Sequence, residues 1–368
     1  MTSWMDHTLQ PAEGGPWFAS GAIEGPAHPN APVRVAPEVR EALKYHRPIV
    51  ALESAVITHG LPAPHNLQVA LDMEAEVRAA GAIPATIGLW EGRMVVGLSP
   101  AQIEVLAQMA HDARTRHRPL AARQDFRLVK ISVRDFAPLL ASRDARLFGG
   151  TTVAASLAVA HGVGIRFFAT GGIGGVHYDP PYDISADLPQ LARTPVLTVA
   201  AGAKAILNLD ATLEYLETWG VPVVGYGTDM FPAFYSVDSP WKVRHRVDTP
   251  SEAARLLQTH WRLQMPSAVL LAVPPPADAA LPYKYIHRLI EMALEELRAH
   301  NEQAAQGRGQ PIRGAAVTPW LLQRLTELSD RRTMRVNLAL LRNNARVAGQ
   351  VARAWVNWLA EESRRAGP

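Results

Sequence analysis

Cysteine is absent from the 368-residue chain, which excludes disulfides, thiolate metal sites and a cysteine nucleophile. Any covalent chemistry then falls to Lys, Ser, Thr, Asp, Glu, His or Tyr. A large charge of either sign is missing as well. The 37 basic and 34 acidic side chains leave a formal charge of +3, which argues against a surface that coats nucleic acid. No run approaches the roughly 18 apolar residues of a membrane span, and residues 1–10 lack a basic segment followed by an apolar one. The chain therefore reads as cytoplasmic, with neither a membrane nor a nucleic-acid polymer as partner. What is present, 48% hydrophobic and 19% charged residues, is enough for one large core.

Residues 1–33 are rich in Pro, Gly and Ala without helical or strand periodicity, so they read as an N-terminal tail. From residue 34 onward short apolar runs alternate with amphipathic stretches, the rhythm of a single α/β domain over 34–368. The runs 49–52, 85–89, 166–170, 196–199, 221–224 and 268–273 are short enough for buried strands. Helices are predicted over 67–80, stopping at Gly81, from Ala205 to Trp219, stopping at Gly220, and over 283–299. Residues 112–127, with five arginines, read as an exposed insertion, with an anionic-ligand patch as the alternative, and the polar stretch 300–313 as a second insertion. Trp320, Trp355 and Trp358 fall at helical spacings near the C-terminus and suit a core or a subunit contact.

Several residues at the ends of these runs can carry chemistry. Thr170-Gly171-Gly172-Ile173-Gly174-Gly175-Val176-His177 follows a strand, and four glycines in five residues permit positive φ and backbone N–H groups converging on an anion. A tight turn beneath a packed helix has the same composition. Tyr182-Asp183-Ile184-Ser185-Ala186-Asp187 offers two carboxylates and a hydroxyl, suited to a divalent cation or to sugar hydroxyls, or to capping a helix that starts near Leu188. Lys204 ends Ala200-Ala201-Gly202-Ala203-Lys204 between a strand and a helix. Small neighbours leave room around its amine, and a helix N-terminus disfavours added positive charge there, so the amine is a candidate to attack a carbonyl and form a Schiff base. Glu53 closes the 49–52 strand ahead of Ser54, Thr58, His59 and Gly60 and is a candidate proton shuttle. Lys130 is a candidate phosphate contact. Thr151 and Thr152, after Gly149-Gly150, open a helix of small residues, and Asn337, Asn343 and Asn344 stand in an apolar helical context where amides bridge helices or reach a ligand.

Together, Ala51-Leu52-Glu53-Ser54, Gly150-Thr151-Thr152-Val153-Ala154, the 169–177 glycine motif, Asp183-Ile184-Ser185-Ala186-Asp187-Leu188 and Ala200-Ala201-Gly202-Ala203-Lys204 resemble the pseudouridine-5′-phosphate glycosidase (pseudouridylate synthase) family, related to indigoidine-cluster A proteins. The resemblance spans about residues 35–360. It implies a three-layer α/β/α sandwich with a mixed, largely parallel sheet, a homotrimer, and one divalent metal per subunit, typically Mn²⁺. It further implies a carbon–oxygen lyase that reversibly cleaves pseudouridine 5′-phosphate to uracil and ribose 5-phosphate. A carbon leaving group has no lone pair to protonate, so ordinary glycosidase chemistry fails. The resemblance implies instead a ring-opened ribose held covalently on Lys204, with Glu53 as proton donor. Asp183 matches the metal ligand, and Lys130, Val153, Ser185, Ala186, Asp187, His177 and Asn337 match substrate contacts. Departures from the family pattern are the tail, the two insertions and a shortened stretch from His177 to Asp183 holding Pro180 and Pro181.

Overall fold

The computed structural model describes residues 15–25, 28–115, 126–178 and 182–365. The part of the basic insertion over 116–125, residues 1–14 of the expected tail, and Pro180 and Pro181 lie outside the described residues. Eleven strands form one sheet: β1 (Val33–Val35), β2 (Ile49–Leu52), β3 (Ile83–Trp90), β4 (Arg93–Val96), β5 (Arg127–Ile131), β6 (Leu147–Thr151), β7 (Phe167–Ala169), β8 (Leu197–Ala200), β9 (Val223–Tyr226), β10 (His245–Val247) and β11 (Val269–Ala272). Their order is β1-β4-β3-β2-β7-β8-β11-β9-β10, with β6 bridging β3 and β5. All pairings are parallel except β3–β4 and β3–β6. Every residue of β2, β7, β8 and β11 is buried, so this part of the sheet is covered on both faces, as parallel strands require.

The helices supply that cover. They are α1 (Pro16–Ala19), α2 (Pro37–Lys44), α3 (His65–Ala79), α4 (Pro100–Thr115), α5 (Phe136–Ser142), α6 (Val153–Val163), α7 (Asp187–Leu191), α8 (Leu209–Thr218), α9 (Pro250–Arg262), α10 (Tyr283–Ala305), α11 (Val317–Leu328) and α12 (Arg332–Arg365). The 34-residue α12 packs between α3 and α9 and lies on β2, β7 and β8, while α6 contacts β2, β6 and β7. Leu340, Leu341, Ala345, Ala348 and Ala352 keep the inner face of α12 apolar. Trp355 extends the same packing against Phe167 and Trp261, with the Arg166 guanidinium over both indoles. None of these helices is long and apolar enough to cross a membrane among the described residues.

Three differences from the sequence reading have physical causes. The stretch read as tail docks over 15–25 and 28–33: Trp17 covers Gly162 of α6, where a Cβ would lie 2.3 Å from the indole, and Ile23 is buried and bridges Val33. Apolar anchors spaced between prolines carry this docking, so no periodicity announces it. The first insertion contributes the last turn of α4 up to Thr115 and the first residue of β5. The second contributes the end of α10, and the remainder folds back where the Asn301 amide exchanges two hydrogen bonds with Ile312.

The sheet changes partner where it matters most. The first half of β3 pairs with β2 and its second half with β6, so the chain leaves the sheet at Glu53 where β6 takes over the place beside β3. Ser54 and Thr151 stitch this junction: both hydroxyls donate to Ile87 O, and Thr151 N donates to Ser54 Oγ at 3.0 Å. Gly150 belongs to β6, and glycine is required there because a Cβ would sit 2.2 Å from Thr58 Oγ1. A change of strand partner at the carboxyl ends of parallel strands is where α/β folds place ligands.

Candidate active site

One cavity of about 1180 Å³ opens at these strand ends and is lined by Glu53, Lys130, Val153, His177, Asp183, Ser185, Ala186, Asp187, Lys204 and Asn337. The fold thus brings all ten sequence-predicted site residues to one wall system from β2, β5, α6, the 171–187 segment, the 201–208 loop and α12.

The pairing of β7 with β8 continues beyond both strands and fixes the position of Lys204. Ala201 N donates to Gly171 O, Ile173 N to Gly202 O and Lys204 N to Ile173 O, at 2.9 to 3.1 Å. The glycine loop and the lysine loop therefore run side by side. Gly202 sustains the bend at φ +75°, with a Cβ position 2.2 Å from Pro232 O. The helix expected at Ala205 starts at Leu209, capped by Asn208, whose side chain accepts from Ala211 N at 3.0 Å. Lys204 consequently stands on a loop opposite the glycines rather than at a helix N-terminus.

The glycine loop is built without the positive φ that its composition permits. None of Gly171, Gly172, Gly174 and Gly175 has a positive φ, and four N–H groups of the segment are taken by protein acceptors: Ile173 by Gly202 O, Gly174 by Asp187 Oδ2, Val176 by Thr212 Oγ1 and His177 by Asp183 O. Glycine is required at 174 for space, since a Cβ would meet Ser185 Oγ at 2.2 Å. Asp187 explains the arrangement. It is 5% exposed, and its two oxygens accept from Gly174 N at 2.7 Å and Ala154 N at 2.8 Å. Its carboxylate thus ties the glycine loop to the first turn of α6, whose N-cap is Thr152.

Charges of both signs converge in the cavity. Burial pushes the Glu53 carboxyl above its ordinary value. Lys204, the hydroxyl of Thr170, which donates to Oε1, and Lys130 pull it back, while Asp187 adds to the rise. Burial and the neighbouring Lys204 push the Lys130 ammonium down, against Glu53 and Asp187. Burial lowers His177, opposed by Asp183. The resulting set holds two amines, a carboxyl driven toward its neutral form and a half-buried imidazole, the components of amine addition with proton transfer.

Arg134 and Arg331, which carry no signal in the sequence, also line the cavity. So does Arg114 of the basic segment 112–127: the α4 stripe of Ile103, Leu106, Ala107 and Ala110 runs on to it, and its guanidinium donates to Leu61 O. His59 reaches the cavity from a π-helical turn, Val56–Gly60, a local irregularity frequent at functional sites. Burial, with Lys130 and Arg114 nearby, lowers His59 to about 4. Between there and the ordinary 6.5 the unfolded chain binds a proton that the folded one refuses, so stability falls as pH drops through this window. Thermal melts from pH 7 to 4 should show that loss, and His59→Gln should flatten it; an unchanged slope would contradict the assignment.

Comparison with known proteins assigns the chain to a family. The profile of the "Indigoidine synthase A like protein" family matches residues 38–354. A Solibacter usitatus protein named pseudouridine-5′-phosphate glycosidase is 44% identical over 87% of this chain and 98% of its own. One of the same name from Jannaschia sp. is 47% identical over 88% and 98%. Among solved structures, the prealnumycin C-glycosynthase AlnA in complex with ribulose 5-phosphate superposes with a TM-score of 0.74 at 36% identity, covering 89% of this chain and 98% of that one. An indigoidine synthase A-like protein from Thermotoga maritima gives 0.73 at 27% identity, covering 88% and 97%. With the family profile matching residues 38–354 and relatives at 44% and 47% identity covered over nearly their whole length, the chain belongs to the indigoidine synthase A-like family.

Proposed function

We propose that the protein is a C-glycosidase that reversibly cleaves pseudouridine 5′-phosphate to uracil and ribose 5-phosphate. The observation that carries the reading is the convergence of Lys204 and the burial-raised Glu53 in one cavity; the glycosidase names of close relatives support it.

In the cleavage direction the Lys204 amine adds to C1′, which is conjugated with the base, as the C1′–O4′ bond breaks, and the proton that the added nitrogen gives up is taken by O4′. Glu53, whose neutral form burial favours, gives its proton to C5 of the base. The C1′–C5 bond then breaks, its electron pair staying with the base, while the Lys204 nitrogen lone pair forms an iminium with C1′. Water hydrolyses the iminium, and the open aldehyde recloses to ribose 5-phosphate. Lys130, half-buried on β5, would hold the phosphate, and Asn337 and Ser185 would hydrogen-bond the base and sugar; all three line the cavity. Asp187 acts through the loops it joins.

Asp183 fits a divalent cation such as Mn²⁺ that is bound mainly by water and substrate oxygens. Its carboxylate lines the cavity without a side-chain hydrogen bond or ion pair among the described residues, and no group of three or more metal-ligating side chains gathers there among those residues. Such an ion would supply positive charge beside the anionic substrate. Uracil release should be measured with and without Mn²⁺ for the wild type and Asp183→Ala. We expect metal-dependent release that the variant largely loses, whereas full activity in chelator would refute the assignment.

A second reading comes from AlnA, a C-glycosynthase: the same lysine and acid acting on a larger aglycone, for which the cavity has room. Incubating ribose 5-phosphate with uracil against bicyclic aromatic acceptors separates the two.

A further inference from the structure

The reaction uses Asn337 of α12 but has no use for Asn344, two turns along the same helix face. Asn344 is fully buried, and its Nδ2 donates to Thr170 O at 2.8 Å and to Gly171 O at 3.3 Å. Its Oδ1 is buried without a partner among the described residues. An amide that leaves its acceptor unmet is retained for its donors, because an apolar side chain of similar size would avoid that desolvation. Thr170, also fully buried, turns its hydroxyl to Glu53 Oε1. Leu341, on the same face of α12 between the two asparagines, abuts Gly171, where a Cβ would lie 3.1 Å from its Cδ2. A continuous chain therefore runs from α12 through the Thr170 and Gly171 carbonyls to the acid.

We infer that Asn344 is a positioning residue for Glu53, acting through the Thr170 hydroxyl that its amide holds in place. This rests on the reading of Glu53 as the proton donor. The other charged groups facing Glu53 are Lys204, Lys130 and Asp187, and none of them lies on this chain of contacts. The Thr170 hydroxyl stabilises the carboxylate form against burial. Losing its donation therefore keeps the proton on Glu53 to higher pH.

The test is the pH profile of kcat for uracil release. The alkaline limb, where Glu53 loses its proton, should move to higher pH in Thr170→Val and in Asn344→Leu and stay with the wild type in Thr170→Ser. For Asn344→Leu, kcat should also fall roughly tenfold or more as the acid loses its orientation, with KM little changed. Asn344→Ser, a smaller change, provides the same reading at lower amplitude if the leucine variant does not fold. A limb that stays in place in both Asn344 variants, with melting temperature alone reduced, would overturn the inference and leave Asn344 structural. Retention of the limb in Glu53→Gln would instead overturn the assignment of the acid itself, so the two failures are distinguishable.

Discussion

Alanine in place of Lys204 is expected to lower turnover of pseudouridine 5′-phosphate by about 10⁴-fold or more, as removal of a covalent nucleophile does. The expectation is large because the lysine has no understudy. Lys130, the other amine lining the cavity among the described residues, is held in β5 by its pairing with β6, whereas Lys204 is positioned by the pairing of its own loop with the glycine loop. The protein should nevertheless fold and bind substrate, because the loop hydrogen bonds involve the Lys204 main chain and not its amine. Stopped-flow or endpoint detection of uracil, with substrate affinity measured separately, checks both halves. Residual activity within a hundredfold of wild type would assign the covalent step elsewhere.

Glu53→Ala is expected to divide the reaction in two. The Lys204 adduct should form, since the amine is intact, while uracil release falls by roughly 10³-fold, within the range for losing one general acid. The variant should therefore accumulate substrate-derived mass on the protein that the wild type turns over. The structural basis is the position of Glu53 where the sheet exchanges β2 for β6. There its carboxyl is buried and raised, yet held near two amines. Rapid uracil release by this variant would show that the acid is another group, with His177 the next to examine because it too lies beside Lys204 in the cavity.

Much of this was legible in the chain because the informative residues sit at the ends of buried strands. Apolar runs such as 49–52 and 269–272 can be little else, and Glu53 directly follows the first of them. Other elements left no periodic trace. β6 contains Gly149 and Gly150, residues depleted in strands, which are needed here because a Cβ at either would lie within 2.4 Å of a neighbouring atom. The composition of the glycine loop suits either positive φ with an anion or a tight packed turn; the structure shows no positive φ there and close packing against Phe234, Ser185 and Thr212 that demands glycine, with the N–H groups of Ile173, Gly174, Val176 and His177 taken by protein acceptors. Helix α8 starts late because Asn208 provides a side-chain cap that Ala205 cannot. The two links of the Asn344–Thr170–Glu53 chain join residues 174 and 117 positions apart, separations that no local pattern reports.

The central claim is a covalent sugar phosphate on one lysine, and the direct measurement is intact-protein and peptide mass after incubation with ribose 5-phosphate and borohydride, which reduces a Schiff base to a stable amine. The account predicts a single sugar-phosphate adduct, located on the peptide that carries Lys204 and absent from Lys204→Ala. Folded, metal-supplied protein that gains no adduct, or gains it on Lys130 instead, would contradict it.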